Sequence, residues 1–363
     1  MNWKNKLVIL LLGALLTAIF AISPDYCEAA APEIEWEKTL GGNVAYSVQQ
    51  TADGGYVVAG GAYITKLDSS GTVEWKKTLG GSGANSVQQT ADGGYVVAGI
   101  INDTGAFIYS AWVAKLDSSG ATVEWEKTLG GNGAYSVQQT ADGGYVVAGD
   151  TDGGAFIYSA WVAKLDSSGA TVEWEKTLGG NRINSVQQTA DGGYVVASSI
   201  FSPSSGEEAW VAKLDSSGTV EWDKTLANSE RATSVQQTVD GGYVVAGGVD
   251  VSAAWVAKLN SSGTVEWDKP LGGNGAYSGA YSVQQTADGG YVVAVYRSYP
   301  SSGAYVVKLA PDEPGTPNQP DNPNTSDNPG GGGGGCITGD LLFAIPLLSL
   351  IFVLYGWKNK IRN

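Results

Sequence analysis

The string SVQQTADGGYVVAG begins at Ser47, and nearly the same string returns at Ser86, Ser136, Ser185, Ser234 and Ser282. Every copy carries Ser-Val-Gln-Gln-Thr, one variable residue, and then Asp-Gly-Gly-Tyr-Val-Val-Ala. Between the copies, Trp36, Trp75, Trp125, Trp174, Trp222 and Trp267 each stand in an EW(E/K/D)K stretch, at spacings of 39, 50, 49, 48 and 45 residues. A repeat of this length is one supersecondary unit that buries its apolar surface only against its neighbours. Helical repeats would show an apolar period of about 3.6 residues, and none is visible.

Four strands are expected in each unit. In the third copy they are Tyr135–Thr140, Tyr145–Gly149, Ala160–Asp166 and Val172–Leu178, termed A to D. An Asp-Gly pair tolerates positive φ and suits the A–B hairpin at Ala141–Gly144. In strand C, Trp161, Ala163 and Leu165 alternate with Val162 and Lys164, the period of a strand. Valine on the second face fits a sheet packed between two others. Strand D first occurs at Ile34–Leu40, and the last A-B-C set spans Tyr281–Leu309. These orphan pieces complete one another. The chain therefore predicts an all-β fold over residues 32–310: a six-bladed β-propeller of four-stranded blades, closed by an N-terminal outer strand. An open β-solenoid is the alternative, but a period varying from 39 to 50 residues suits blades better than coils.

The stretch KLDSSGTVEW (Lys66–Trp75) resembles the tryptophan-docking repeat of quinoprotein or PQQ-like propellers, through Asp68, Gly71 and Trp75. The spacing is one residue shorter than usual between Asp and Gly, Asn260 replaces the Asp in one copy, and Ala121 and Ala170 are insertions. The resemblance implies that Trp36, Trp75, Trp125, Trp174, Trp222 and Trp267 dock blade to blade. It implies no cofactor, and none is expected. TADGG (Thr51–Gly55) weakly resembles the Asp-box of sialidase-like propellers, a turn-stabilising element. Asp53, Asp92, Asp142, Asp191, Asp240 and Asp288 are accordingly read as turn residues. No metal is assigned to them, because no Asp-x-Asp-x-Asp loop accompanies them. With strand A innermost, one glutamine of each pair, such as Gln138-Gln139, faces a polar axial channel.

Both ends read as addresses. Residues 1–31 have the basic start, apolar run and small-residue exit of a secretory signal helix. Residues 311–335 are rich in Pro, Asn, Asp and Gly, the composition of a disordered tether. Residues 336–363 comprise Cys336, the apolar run Leu341–Trp357 and a basic tail, which predict a C-terminal transmembrane helix with the repeats outside the cell membrane. Gly330–Gly335 followed by Cys336, an apolar helix and a basic tail is similar to GlyGly-CTERM and Synergist-CTERM sorting signals of prokaryotic surface proteins. That similarity implies processing or anchoring at Cys336, and a plain single-pass anchor is the alternative.

Composition narrows the chemistry. The chain has no histidine and two cysteines, both outside the repeats, so histidine-based catalysis is excluded. A net charge of −15 argues against nucleic acid as a partner. Function is expected where the copies differ, in the B–C and D–A loops, which a propeller gathers on one face. That face would carry Phe107, Tyr109, Asp150, Asp152, Phe156, Tyr158, Phe201, Tyr296, Arg297 and Tyr299. Aromatic rings with short polar neighbours suit a glycan or a cell-surface protein, and the expected protein is a non-enzymatic binder. A carboxylate-dependent polysaccharide hydrolase or lyase using Asp150, Asp152, Glu207 and Glu208 is a second reading. A structural spacer or assembly scaffold is a third.

Overall fold

The computed structural model describes Leu40 and residues 45–102, 109–152, 158–202, 206–226, 229–249, 253–271, 279–297 and 303–312. These form six antiparallel sheets, the blades of a β-propeller. Blade one is β1 (Ser47–Gln50), β2 (Tyr56–Gly60), β3 (Tyr63–Leu67) and β4 (Val73–Thr78). Blade two is β5 (Gly83–Gln89), β6 (Tyr95–Ile101), β7 (Ser110–Leu116) and β8 (Val123–Thr128). Blade three is β9 (Gly133–Gln139), β10 (Tyr145–Asp152), β11 (Tyr158–Leu165) and β12 (Val172–Thr177). Blade four is β13 (Ser185–Gln188), β14 (Tyr194–Ser202), β15 (Gly206–Leu214) and β16 (Val220–Leu226). Blade five is β17 (Arg231–Gln237), β18 (Tyr243–Val249), β19 (Ala253–Leu259) and β20 (Val265–Leu271). Blade six is β21 (Gly279–Gln285), β22 (Tyr291–Arg297) and β23 (Gly303–Leu309).

The outer strand expected for blade six, Ile34–Leu40 with Trp36, lies outside the described residues except for Leu40, whose carbonyl accepts from Lys76 Nζ at 3.0 Å. Among the described residues no hydrogen bond joins β21, β22 or β23 to blade one. Val48 and Val306 are 66% and 71% exposed there, whereas Val87, Val137, Val186, Val235 and Val283 are 4–6% exposed. Among the described residues no helix is long and apolar enough to cross a membrane. The expected signal helix, the tether from residue 313, Cys336 and the C-terminal span also lie outside them.

The recurrent hairpin follows from its residues. At the third copy Gly143 takes a φ of 84°. Thr140 N–H donates to Gly144 O and Gly143 N–H to Thr140 O, both at 2.9 Å. Asp142 Oδ1 accepts from Thr140 Oγ1 at 2.5 Å and from Gly144 N–H at 2.9 Å. The second glycine has a different reason. A Cβ on Gly144 would lie 2.4 Å from both Leu165 O and Lys164 Nζ. The turn thus leaves room for a lysine arriving from strand C.

That lysine recurs. Lys66, Lys115, Lys164, Lys213 and Lys258 are buried. Lys213 Nζ reaches Asp191 Oδ2 and Glu221 Oε2, each at 2.8 Å, and donates to Leu214 O at 3.1 Å. One ammonium therefore joins the A–B turn, strand C and strand D of its blade. Burial pushes the Asp191 carboxyl up, but hydrogen bonds from Lys213, Thr189 and Gly193 outweigh it and hold the group at about 2.

The Ser-Val-Gln-Gln residues serve the inner edge. An edge strand leaves N–H groups unpaired, and here the preceding blade supplies acceptors. Ser136 Oγ accepts from Val186 N–H at 3.1 Å, and Gln138 Oε1 accepts from Gln188 N–H at 2.6 Å. In return Gln188 Oε1 accepts from Ala141 N–H at 2.8 Å. The same bonds recur from blade one through blade six. A cavity of about 240 Å³ on the inner edge is lined by Gln88, Gln138, Gln187, Gln236 and Gln284. Gln138→Leu is expected to cost about 1 kcal/mol and to speed hydrogen exchange at the Gln188 amide. Unchanged exchange there would remove this role.

Apolar clusters fill the five junctions from blade one to blade six. Two tryptophans meet at a typical junction. Trp125 on strand D of blade two lies edge-on to Tyr145 of blade three, at 5.3 Å and 66°. It also covers Gly169, where a Cβ would come within 2.5 Å of the indole. Trp75, Trp174, Trp222 and Trp267 make the equivalent ring contacts. These strand-D tryptophans are only half-buried. The fully enclosed ones are on strand C, Trp112, Trp161, Trp210 and Trp255, which the spacing argument left as ordinary strand residues. At the last junction Asp312 takes over the turn's role, accepting from Trp267 Nε1 at 2.8 Å and from the Tyr291 hydroxyl at 2.5 Å.

Candidate functional site

On the face bearing the B–C and D–A connections lies a cavity of about 550 Å³. Tyr158, Asn181, Arg182, Asn184, Ser199, Phe201, Glu207 and Arg231 line it. Blades three, four and five all contribute, and the reason is register. Strands B and C run on past their neighbours in blades three and four, where Asp152 pairs with Tyr158 and Phe201 with Glu207. The hairpin ends therefore rise above the D–A connections, which supply Asn181, Arg182 and Asn184.

Arg182 is the best-positioned polar group. Its Nε lies 2.8 Å from Asp150 Oδ2. Its guanidinium lies 4.4 Å from the Tyr135 ring centroid and 5.5 Å from that of Tyr158. Asp150 is 1% exposed, and its Oδ1 has no hydrogen-bond partner among the described residues. Burial pushes the Asp150 carboxyl above its ordinary range, against the pull of Arg182. Burial and the nearby Asp150 charge push the Tyr135 hydroxyl up to about 12. One carboxylate and two aromatic rings thus hold one guanidinium at the cavity wall. Opposite, Ser199 Oγ donates to Glu207 Oε1 at 2.5 Å.

The expected loop residues divide into groups. Tyr158 and Phe201 are exposed on the cavity, at 52% and 66%. Asp150 lies beneath it in β10, as the buried partner of Arg182 rather than a surface group. Asp152 is exposed at the end of β10. Tyr109 and Tyr296 are exposed but are not among the lining residues. Arg297 ends β22 opposite Gly303. Phe107, Phe156 and Tyr299 fall outside the described residues. Glu207 lines the cavity, whereas Glu208 pairs with Ile200 and does not.

Arg182, Arg231, Asn181 and Asn184 were not singled out from the sequence. A signal existed. Arg182 and Arg231 replace the glycine found at the same place in other copies, Gly83, Gly133 and Gly279. Among the described residues no group of His, Cys, Asp or Glu side chains is arranged to hold a metal ion. The turn aspartates, for their part, are engaged by lysine ammonium groups.

No protein-family model matches the chain. No curated protein matches it either. Solved structures do. Kuenenia stuttgartiensis hydrazine synthase aligns with a TM-score of 0.56 at 14% identity, covering 72% of this chain and 80% of that one. The WD40 β-propeller domain of Doa1 aligns with a TM-score of 0.52 at 11% identity, covering 70% and 76%. A Bacteroides caccae protein of unknown function gives a TM-score of 0.48 at 15% identity, covering 67% and 83%. At these identities the likeness to the first two is one of fold: the chain is similar to solved β-propellers in architecture.

Proposed function

We propose that this is a surface-anchored, non-enzymatic propeller that binds a glycan in the cavity between blades three, four and five. The observation that carries the reading is the lining itself: exposed Tyr158 and Phe201 rings beside planar polar groups on Asn181, Arg182, Glu207 and Arg231. Sugars offer alternating C–H faces and hydroxyl edges. Aromatic rings receive the former, and amides, carboxylates and guanidinium groups bond the latter. The volume falls in the usual range for small-ligand sites, about 300–1,000 Å³. Anchoring outside the cell follows from the reading of residues 1–31 and 336–363, and it puts the cavity where cell-surface polymers are.

The test is a glycan array probed with the full-length chain in mild detergent. Binding is expected, and Tyr158→Ala and Phe201→Ala should each weaken it about 5- to 50-fold without changing the melting temperature. A bound glycan unaffected by both substitutions would place the site elsewhere. Release of new reducing ends would favour the hydrolase reading instead.

A further inference from the structure

The repeats act as their own control at this site. Two neighbouring copies carry an arginine at the entry to strand A, Arg182 and Arg231. The first is satisfied within the protein. Asp150 of the preceding blade gives it a carboxylate at 2.8 Å, and Tyr135 gives it a six-membered ring face at 4.4 Å. One blade further round, both partners are replaced. The position of Asp150 is taken by Ser199, and that of Tyr135 by Asn184. Arg231 forms no ion pair with a described residue, and it borders the cavity together with Ser199 and Asn184. What has been removed beside Arg231 is a carboxylate and a ring, and what stands in their place is open volume.

From this we infer that the ligand is an acidic saccharide, a pyranose ring bearing a carboxylate, with that carboxylate against Arg231. The inference rests on the glycan reading above and adds its chemical class. A carboxylate facing an arginine makes charge-assisted hydrogen bonds of the kind already built between Asp150 and Arg182. The ring would lie beside Asn184, which replaces the Tyr135 ring, flanked by Phe201. Glu207 shares the cavity but makes no ion pair with Arg231. Its Oε1 is held by the Ser199 hydroxyl at 2.5 Å, which leaves a carboxylate edge to accept from sugar hydroxyls.

The experiment is calorimetric titration of the full-length chain with tetramers of galacturonate, glucuronate and mannuronate. Each is paired with the same tetramer reduced at its carboxyls to the neutral sugar. At least one charged tetramer is expected to bind about tenfold or more tighter than its reduced counterpart. Arg231→Gln, at an exposed position, should bring the two within about twofold of each other. Ser199→Asp rebuilds the pair that exists one blade earlier, and should abolish binding of the charged tetramer by supplying the carboxylate internally. If reduced and charged tetramers bind alike, or if Arg231→Gln or Ser199→Asp binds as the parent does, the carboxylate assignment is overturned while the glycan reading stands. If no saccharide of either class binds, both fall.

Discussion

Replacing Trp161 with alanine is expected to destabilise the propeller by about 3–5 kcal/mol, and replacing Trp174 by roughly half as much. The two tryptophans belong to the same blade and differ in enclosure. Trp161 is 1% exposed and packs in the cluster shared by blades two and three. A Cβ on Gly131 would lie 3.0 Å from its indole, so the D–A connection is pressed against the ring. Its Nε1 donates to Glu175 Oε1 of strand D. Truncation would empty a space that rigid strands on three sides cannot refill, and a cavity term adds to the lost transfer energy. Trp174 covers Gly218 of the next blade, meets Tyr194 edge-on at 5.5 Å and donates to Ser216 O at 3.1 Å. It is only partly buried, so some of its surface is already in water and at ~25 cal/mol per Å² its truncation costs less, about 2–3 kcal/mol. Urea unfolding followed by tryptophan fluorescence measures both. Equal shifts in midpoint would show that strand-D docking matters as much as strand-C burial, against this ordering.

That ordering also marks where the sequence stopped being informative. The recurrence of Trp75, Trp125 and Trp174 sets a repeat length, and Asp-Gly-Gly followed by Tyr-Val-Val-Ala sets a hairpin, because both are local rules of spacing and backbone. Burial depends on which face of a strand meets the next blade, and both faces of Trp161-Val162-Ala163 are covered. Alternation alone cannot rank them. Lys213 stands between Ala212 and Leu214 in the apolar half of strand C. Its role needs the A–B turn and strand D brought within 3 Å of one ammonium, a three-strand register that no single stretch contains. The loops of unequal length point to Tyr158 and Phe201, and both of these line the cavity between blades three, four and five. Its charged wall came from changes at the strand-A entry, glycine to Arg182 and to Arg231, in the D–A connections. Asp150 was assigned to a loop because strand B was read as ending at Gly149, whereas pairing continues to Asp152.

Lys213→Met is expected to lower stability by about 1–3 kcal/mol at pH 7, and the difference should shrink on acidification. Methionine keeps an unbranched apolar stem in the tunnel that Gly193 leaves open and removes the charge. The cost is held to this range because Asp191 and Glu221 are about half exposed, so water solvates them once the ammonium is gone. The pH dependence follows from Asp191. Its folded value is about 2, against about 4 in an unfolded chain. A group depressed in this way contributes stability that is complete above pH 4 and is lost as pH falls through 2. Below that, the parent protein holds a buried lysine whose partner has become neutral, and the methionine variant holds none. Urea midpoints of the two proteins should therefore lie furthest apart near neutrality and converge between pH 4 and pH 2. The other lysine–aspartate ties remain in both proteins, so each curve still falls in acid, and only the gap between them reports on this blade. A gap that stays constant from pH 7 to pH 2 would mean that the lysine acts through the packing of its stem, and the ammonium would then have no part in holding the turn to the sheet.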